Sequence, residues 1–234
     1  MVEYVFAPQA PATVAVEAES PRFPVRRVFC VGRNYAAHAK EMGKDPDRDP
    51  PFFFTKPADA VVDSGETIAY PPETGNFHYE IELVVAIGQE GFEISREAAL
   101  DHVFGYAVGI DLTRRDLQLD ARDKGRPWDW GKAFDRSAVI APIHRAQSGK
   151  PAKGRIWLAV NGGIKQDADL SELIWPVPDI ISIVSHSMVI KPGDLIMTGT
   201  PAGVGPIVEG DVITGGIEGL GEIRANIGPS TRGA

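Results

Sequence analysis

From Val25 onward the chain is built of short apolar runs rich in β-branched residues, and glycine or proline interrupts nearly every one. A long helix needs an unbroken 3.6-residue periodicity, whereas short runs between turn formers close into strands and tight connections. Predicted strands are Arg27–Val31, Pro51–Phe54, Glu80–Ile87, Val103–Asp111, Ile156–Val160, Asp194–Thr198, Asp211–Ile217 and Glu222–Ile227. Asn161-Gly162 separates Ile156–Val160 from Ile164–Gln166, the dipeptide that a two-residue hairpin prefers. Predicted helices are fewer: Tyr35–Met42 with Asn34 as N-cap, Arg96–Val103 capped by Ser95, Thr113–Lys124, and Asp179–His186 after Pro178. This order does not alternate as βαβ units, so a Rossmann-like sheet is rejected. One β-rich α+β domain over residues 25–234 is expected, preceded by a Pro- and Ala-rich peripheral segment, residues 1–24, with room for two short strands.

The formal net charge of −8 argues against nucleic acid or an anionic membrane as the main partner, since both select a basic surface. It also means that an anionic substrate must be drawn by a local cation or metal. The single cysteine, Cys30, sits in the apolar run Val28–Val31, reads as a small buried residue, and excludes both an intrachain disulfide and a Cys-based zinc site. No apolar run approaches the roughly 20 residues of a membrane span, and Met1-Val2-Glu3-Tyr4 does not open a signal peptide. A cytoplasmic protein is expected.

The most informative stretch is His78-Tyr79-Glu80-Ile81-Glu82-Leu83-Val84-Val85-Ala86-Ile87. On a strand, alternate residues share a face, so Glu80 and Glu82 point the same way. Either they lie on a solvated edge strand, or they hold a cation, because two buried carboxylates side by side repel. A second apolar strand, Val103–Asp111, ends in a lone acid. If Asp111 converges on Glu80 and Glu82, three carboxylates face one point, and an all-oxygen set suits Mg²⁺ or Mn²⁺.

His38 and Glu41 are three apart on the first predicted helix, a spacing that serves a carboxylate-oriented general base or an ordinary surface contact. Arg115 and Gln118 repeat that spacing shortly after Asp111 and offer a guanidinium fork and an amide donor. Lys132 follows Trp128-Asp129-Trp130-Gly131, where a lysine is either partly desolvated or simply exposed. Met197-Thr198-Gly199-Thr200-Pro201-Ala202-Gly203-Val204-Gly205 reads as a strand end and tight loop, offering backbone N–H groups and the Thr200 hydroxyl, or only a turn.

Taken in order, Gly32-Arg33-Asn34-Tyr35 with His38 and Glu41, Glu80-Ile81-Glu82-Leu83, Asp111 with Thr113–Gln118, Gly131-Lys132 and Thr198–Gly205 resemble the fumarylacetoacetate hydrolase family over residues 25 to 227. The segments Phe23–Arg27 and Asp45–Phe54 are most similar to its fumarylpyruvate-hydrolysing branch, of gentisate breakdown. The resemblance implies a mixed β-sandwich roll, a homodimer, and Mg²⁺ or Mn²⁺, with Ca²⁺ as a substitute, held at Glu80, Glu82 and Asp111. It implies a His38–Glu41 dyad, and substrate contacts from Arg115, Gln118, Lys132 and Thr200. Lys44 and Arg48, in the charged segment after the dyad, are candidates for a substrate's distal carboxylate, against the plain alternative of solvated loop charges. A further acidic ligand of the longer family members has no counterpart here, which weakens the case for fumarylacetoacetate itself.

The activity implied is hydrolysis of a C–C bond in a small 2,4-diketo acid such as fumarylpyruvate or a related acylpyruvate. Oxaloacetate decarboxylation or keto–enol isomerisation at the same site is the alternative, and a non-catalytic dicarboxylate-binding protein is a third reading. Retention of both His38 and Glu41 favours hydrolysis, because only that reaction needs an activated water.

Overall fold

The computed structural model describes residues 2–41, 50–147, 150 and 152–230. The chain forms two main mixed sheets, so the expected β-rich α+β roll is what the sequence builds. The larger sheet runs in the order Phe52–Lys56, Arg27–Gly32, Asp194–Met197, Ile81–Ile87, Val103–Asp111, Ala138–Ile140 and Val61–Asp63. The smaller has the order Gly163–Asp169, Arg155–Val160, Val212–Ile217, Glu222–Gly228 and Thr67–Ala69. A three-stranded ribbon places Phe77–Tyr79 between Thr113–Arg114 and Gly205–Pro206. Arg27–Gly32 pairs in parallel with Asp194–Met197, and Glu222–Gly228 does so with Thr67–Ala69, which makes both sheets mixed.

The eight predicted strands form with ends shifted by up to two residues. Asn161 and Gly162 take φ of 50° and 79°, the left-handed pair that a tight hairpin turn requires, and Arg155–Val160 pairs antiparallel with Gly163–Asp169. Three local expectations are corrected. Arg96–Val103 is not an α-helix: Ala99–His102 is a single 3-10 turn. The His102 carbonyl accepts the Gly88 and Gln89 amides, so sheet pairing overrides helical propensity there. The helix expected from Thr113 starts at Arg115 and ends at Asp123, because Thr113 and Arg114 pair with His78 and Phe77. Asn34 is not a cap for the helix Ala36–Glu41. Its amide donates to the carbonyls of Trp175 and Thr198, and its Oδ1 accepts the Trp175 amide at 2.7 Å. Met42, the predicted end of that helix, lies outside the described residues.

The strand Ile81–Ile87 is buried on both faces. Ile81, Leu83, Val85 and Ile87 join the main core between the sheets, with Ile110, Leu158, Ile196 and Ile217. Val84 and Ala86 face a second cluster with Val28, Cys30, Ala107 and Met197, which Val14, Val16 and Phe23 of the N-terminal segment cover. The alternation matters for chemistry, because the residues preceding Val84 and following Ala107 by two-residue steps, Glu82 and Asp111, share that second face. No helix among the described residues is long and apolar enough to cross a membrane.

Candidate metal centre and active site

Strand register brings the acids together. Ile81 lies opposite Ile110 in the antiparallel pair, and the Asp111 amide donates to the Glu80 carbonyl at 2.8 Å. Glu80 and Asp111 are therefore cross-strand neighbours, and Glu82 sits one same-face step along. All three are buried, and each offers a carboxylate oxygen within 4.8 Å of the others. The edge-strand alternative is excluded, since Ile81–Ile87 is flanked on both sides by other strands.

Three cations answer the three carboxylates among the described residues. Lys132 Nζ donates to Glu80 Oε2 at 2.8 Å, Asp111 Oδ2 at 2.7 Å and the Thr113 hydroxyl at 2.7 Å, which uses all three of its N–H bonds. Arg115 donates through Nη2 to Glu80 Oε1 and through Nη1 to Gln118 Oε1. Lys56, which the sequence reading did not single out, is fully buried and lies 2.8 Å from Asp111 Oδ1. Its ammonium donates to the Leu112 and Lys132 carbonyls instead, and the Asp111 oxygen accepts no hydrogen bond. A buried carboxylate oxygen that accepts no hydrogen bond, beside two more carboxylates, fits a hard divalent cation.

Two glycines permit this packing. A Cβ at Gly131 would lie 2.8 Å from the Gln118 backbone, so only glycine lets Asp129–Lys132 approach closely enough to deliver Lys132. Gly199 has φ of 96°, and its amide donates to Glu82 Oε2 at 2.7 Å.

The acids respond differently to burial. Desolvation raises Glu80, but Lys132, Arg115 and His38 outweigh it and hold that carboxyl well below the ordinary range. For Glu82 the balance is reversed: burial first, then Asp111 and Glu80, outweigh Lys132 and the Gly199 amide and push it well above the ordinary value. A raised carboxyl binds its proton more tightly folded than unfolded, so without an ion it withdraws stability as pH rises above the unfolded-state value. Binding a cation displaces that proton and removes the penalty. Mn²⁺ should accordingly raise the melting temperature more at about pH 8 than at about pH 5.5. Equal shifts at the two pH values in thermal melts would refute this assignment of Glu82.

The remaining predicted residues fall as follows. His38 is buried and lines a small inner chamber with Glu80, Glu82, Arg115, Gln118 and Thr200. The helix Ala36–Glu41 carries Glu41 one turn beyond it, but the Glu41 side chain, and Lys44 and Arg48 entirely, lie outside the described residues. Lys132 is buried against the ring of Phe54, 5.1 Å away, while Trp130 of the expected aromatic setting is exposed. The Thr200 hydroxyl accepts from Gln166 Nε2 at 2.8 Å, and Gln166 Oε1 accepts the Ile81 amide at 3.0 Å. Gln166 and His78 were not anticipated either. Arg115 Nε donates to His78 Nδ1 at 3.4 Å, so the ring proton sits on Nε2 and goes to Asn76 Oδ1. Burial and the Arg115 charge lower the His78 pKa to about 4, which keeps it a neutral prop for the guanidinium. Lys56 ends an apolar strand, where a charge usually serves solubility, and nothing local marks it as buried.

The fumarylacetoacetate (FAA) hydrolase C-terminal family profile matches residues 27–228. The chain is 49% identical over 191 residues to a fumarylpyruvate hydrolase of Ralstonia sp, covering 81% of this chain and all of the relative. It is 41% identical over 203 residues to a mitochondrial oxaloacetate tautomerase of Mus musculus, covering 86% and 91% of the two chains. Among solved structures, the fumarylpyruvate hydrolase of Pseudomonas aeruginosa in complex with Mn²⁺ and pyruvate superimposes with a TM-score of 0.95 at 53% identity, over 97% of this chain and all of that one.

Proposed function

The chain belongs to the fumarylacetoacetate hydrolase family, and from that membership we propose a divalent-metal-dependent hydrolase that splits the C–C bond of a 2,4-diketo acid, fumarylpyruvate foremost. The observation that carries the reading is the triad of buried, converging carboxylates with His38 in the same chamber. Glu80, Glu82 and Asp111 would hold Mg²⁺ or Mn²⁺. When bound, such an ion supplies Lewis-acid polarisation of the 2-oxo group and stabilises negative charge on the departing pyruvate enolate.

The protein side chains supply the rest. His38 takes a proton from water, whose oxygen adds to the C4 carbonyl. As the C3–C4 bond breaks, its electron pair leaves with the three-carbon fragment and the acyl group becomes a carboxylate. The proton held by His38 is then available to C3 of the leaving pyruvate. Gln118, whose Oε1 is taken by Arg115, keeps its two amide N–H groups for substrate oxygens. Lys56 and Lys132 hold Asp111 between them. Among the described residues, Glu80, Asp111 and a Glu82 ionised by the bound ion would balance Lys56, Lys132 and Arg115, so a divalent ion would leave two positive charges for a dianionic substrate to neutralise.

The proposal extends, on family resemblance alone, to a homodimeric cytoplasmic enzyme of gentisate breakdown. The relative that acts as an oxaloacetate tautomerase favours a second reading, enolisation at the same site without water attack. A pyruvate-release assay separates the two. With Mn²⁺, fumarylpyruvate should yield pyruvate and fumarate in equal amounts, and EDTA should stop it. Rapid keto–enol exchange of oxaloacetate with no pyruvate from fumarylpyruvate would replace hydrolysis by tautomerisation.

A further inference from the structure

We propose that Gln166 is a positioning residue that makes the Thr200 hydroxyl a hydrogen-bond donor toward an oxygen of the bound keto acid. This rests on the reading that the keto-acid end of a substrate is held beside Glu80, Glu82 and Asp111.

Gln166 stands out on its own strand. Gly163–Asp169 lies at the edge of the smaller sheet, and its other residues are exposed or half-buried, yet Gln166 is fully buried. Leu158 pairs with Gln166 and Ala159 with Ile164, so Lys165 is an extra residue, a bulge of the kind that re-aims a side chain. A carboxamide taken out of water is costly unless its polar atoms find partners.

Those partners fix the direction of every bond. The Ile81 amide can only donate, so the atom that faces it at 3.0 Å is Gln166 Oε1. The Pro201 carbonyl can only accept, and it takes one Nε2 proton at 2.8 Å. Turning the amide over would set donor against donor at Ile81 and acceptor against acceptor at Pro201. The second Nε2 proton therefore goes to Thr200 Oγ1, at 2.8 Å, and Thr200 is the acceptor. A hydroxyl carries one proton of its own, and among the described residues no group accepts it from Thr200.

The loop holds that hydroxyl at the wall of the inner chamber. Thr200 is 2% exposed and lines the chamber with Glu82 and Gln118. On one side of it the Gly199 amide donates to Glu82 Oε2. On the other, Gly203 has φ of 97°, and a Cβ there would fall 2.1 Å from the Lys165 carbonyl, so the loop is pressed onto the strand that carries Gln166. A hydroxyl whose acceptor side is already occupied turns its proton to whatever enters the chamber. That polarity suits a carboxylate or a developing enolate oxygen, whereas a freely rotating hydroxyl also presents its lone pairs, which repel an anion.

The test is a double-mutant cycle read by calorimetric titration of the Mn²⁺-loaded protein with oxalate. Gln166→Met keeps the length of the side chain and removes both N–H donors; Thr200→Val removes the hydroxyl. Each should weaken oxalate binding about tenfold, and the double variant should lose no more than either alone. Thr200→Ser should bind oxalate like the wild type. Mn²⁺ affinity should hold in Gln166→Met, because Gln166 touches none of the three carboxylates. A full further loss from Gln166→Met in the Thr200→Val background, or a parallel loss of Mn²⁺ affinity, would make Gln166 a support of the fold and overturn the proposal. If Gln166→Met does not fold, a crystal structure of the wild type with Mn²⁺ and oxalate decides. Thr200 Oγ1 should then lie within about 3.2 Å of an oxalate oxygen, with its contact to Gln166 kept, and a hydroxyl out of reach overturns the proposal. Oxalate binding needs no turnover, so failure of the wild type to release pyruvate from fumarylpyruvate bears on the hydrolase reading alone.

Discussion

Glu82→Gln should leave the fold intact and reduce catalysis by about three orders of magnitude, with Mn²⁺ affinity falling at least about hundredfold. Both halves of that expectation follow from the environment of this one acid. Removing Lys56 or Lys132 would strand a buried carboxylate, at a cost of about 3–5 kcal/mol, and would test stability before chemistry. Glu82 differs, because burial and two neighbouring acids already favour its neutral form, and glutamine has the shape of a protonated glutamate. The Gly199 amide, which donates to Glu82 Oε2, can donate equally to the amide oxygen of glutamine. What disappears is one anionic ligand. A bound divalent ion is worth several kcal/mol at the transition state, and 1.36 kcal/mol is a factor of ten. Calorimetric titration with Mn²⁺, together with a melting curve, decides the matter: normal metal affinity in a folded variant would take Glu82 out of the ligand set.

His38→Ala should lower hydrolysis by about 10²–10⁴, the range for a positioned base, while Mn²⁺ and oxalate, a mimic of the pyruvate enolate, still bind. His38 is buried on a short helix at the wall of the inner chamber, close enough to Glu80 for its charge to be felt there. It is nevertheless absent from the converging acidic cluster, so on the proposed reading metal capture and water activation would be separate jobs. The variant should retain enolisation of oxaloacetate better than hydrolysis of an acylpyruvate, because only the second needs hydroxide delivered to a carbonyl. Loss of oxalate binding in His38→Ala would instead make His38 part of ligand capture or of the fold.

How much of this was legible beforehand depends on the range over which each feature is decided. The Asn161-Gly162 turn, the period-2 runs and the shared face of Glu80 and Glu82 are set within a few residues by steric preference and strand geometry, and the sequence alone determined them. The helix expected over Arg96–Val103 failed because a local pattern there yields to pairing with Gly88 and Gln89. The order of motifs from His38 to Thr200 carried the family. Tertiary structure decided what joins those motifs. Convergence of Asp111 on Glu80 depends on the pairing of Ile81 with Ile110, and a one-residue slip would turn the acids to the opposite face. Lys56 reaches Asp111 across 55 positions, Gln166 reaches Ile81 across 85, and Asn34 reaches Thr198 across 164. Each reads locally as an ordinary polar residue, because a side chain's partner across a sheet is set by register and topology and leaves no mark in its own neighbourhood.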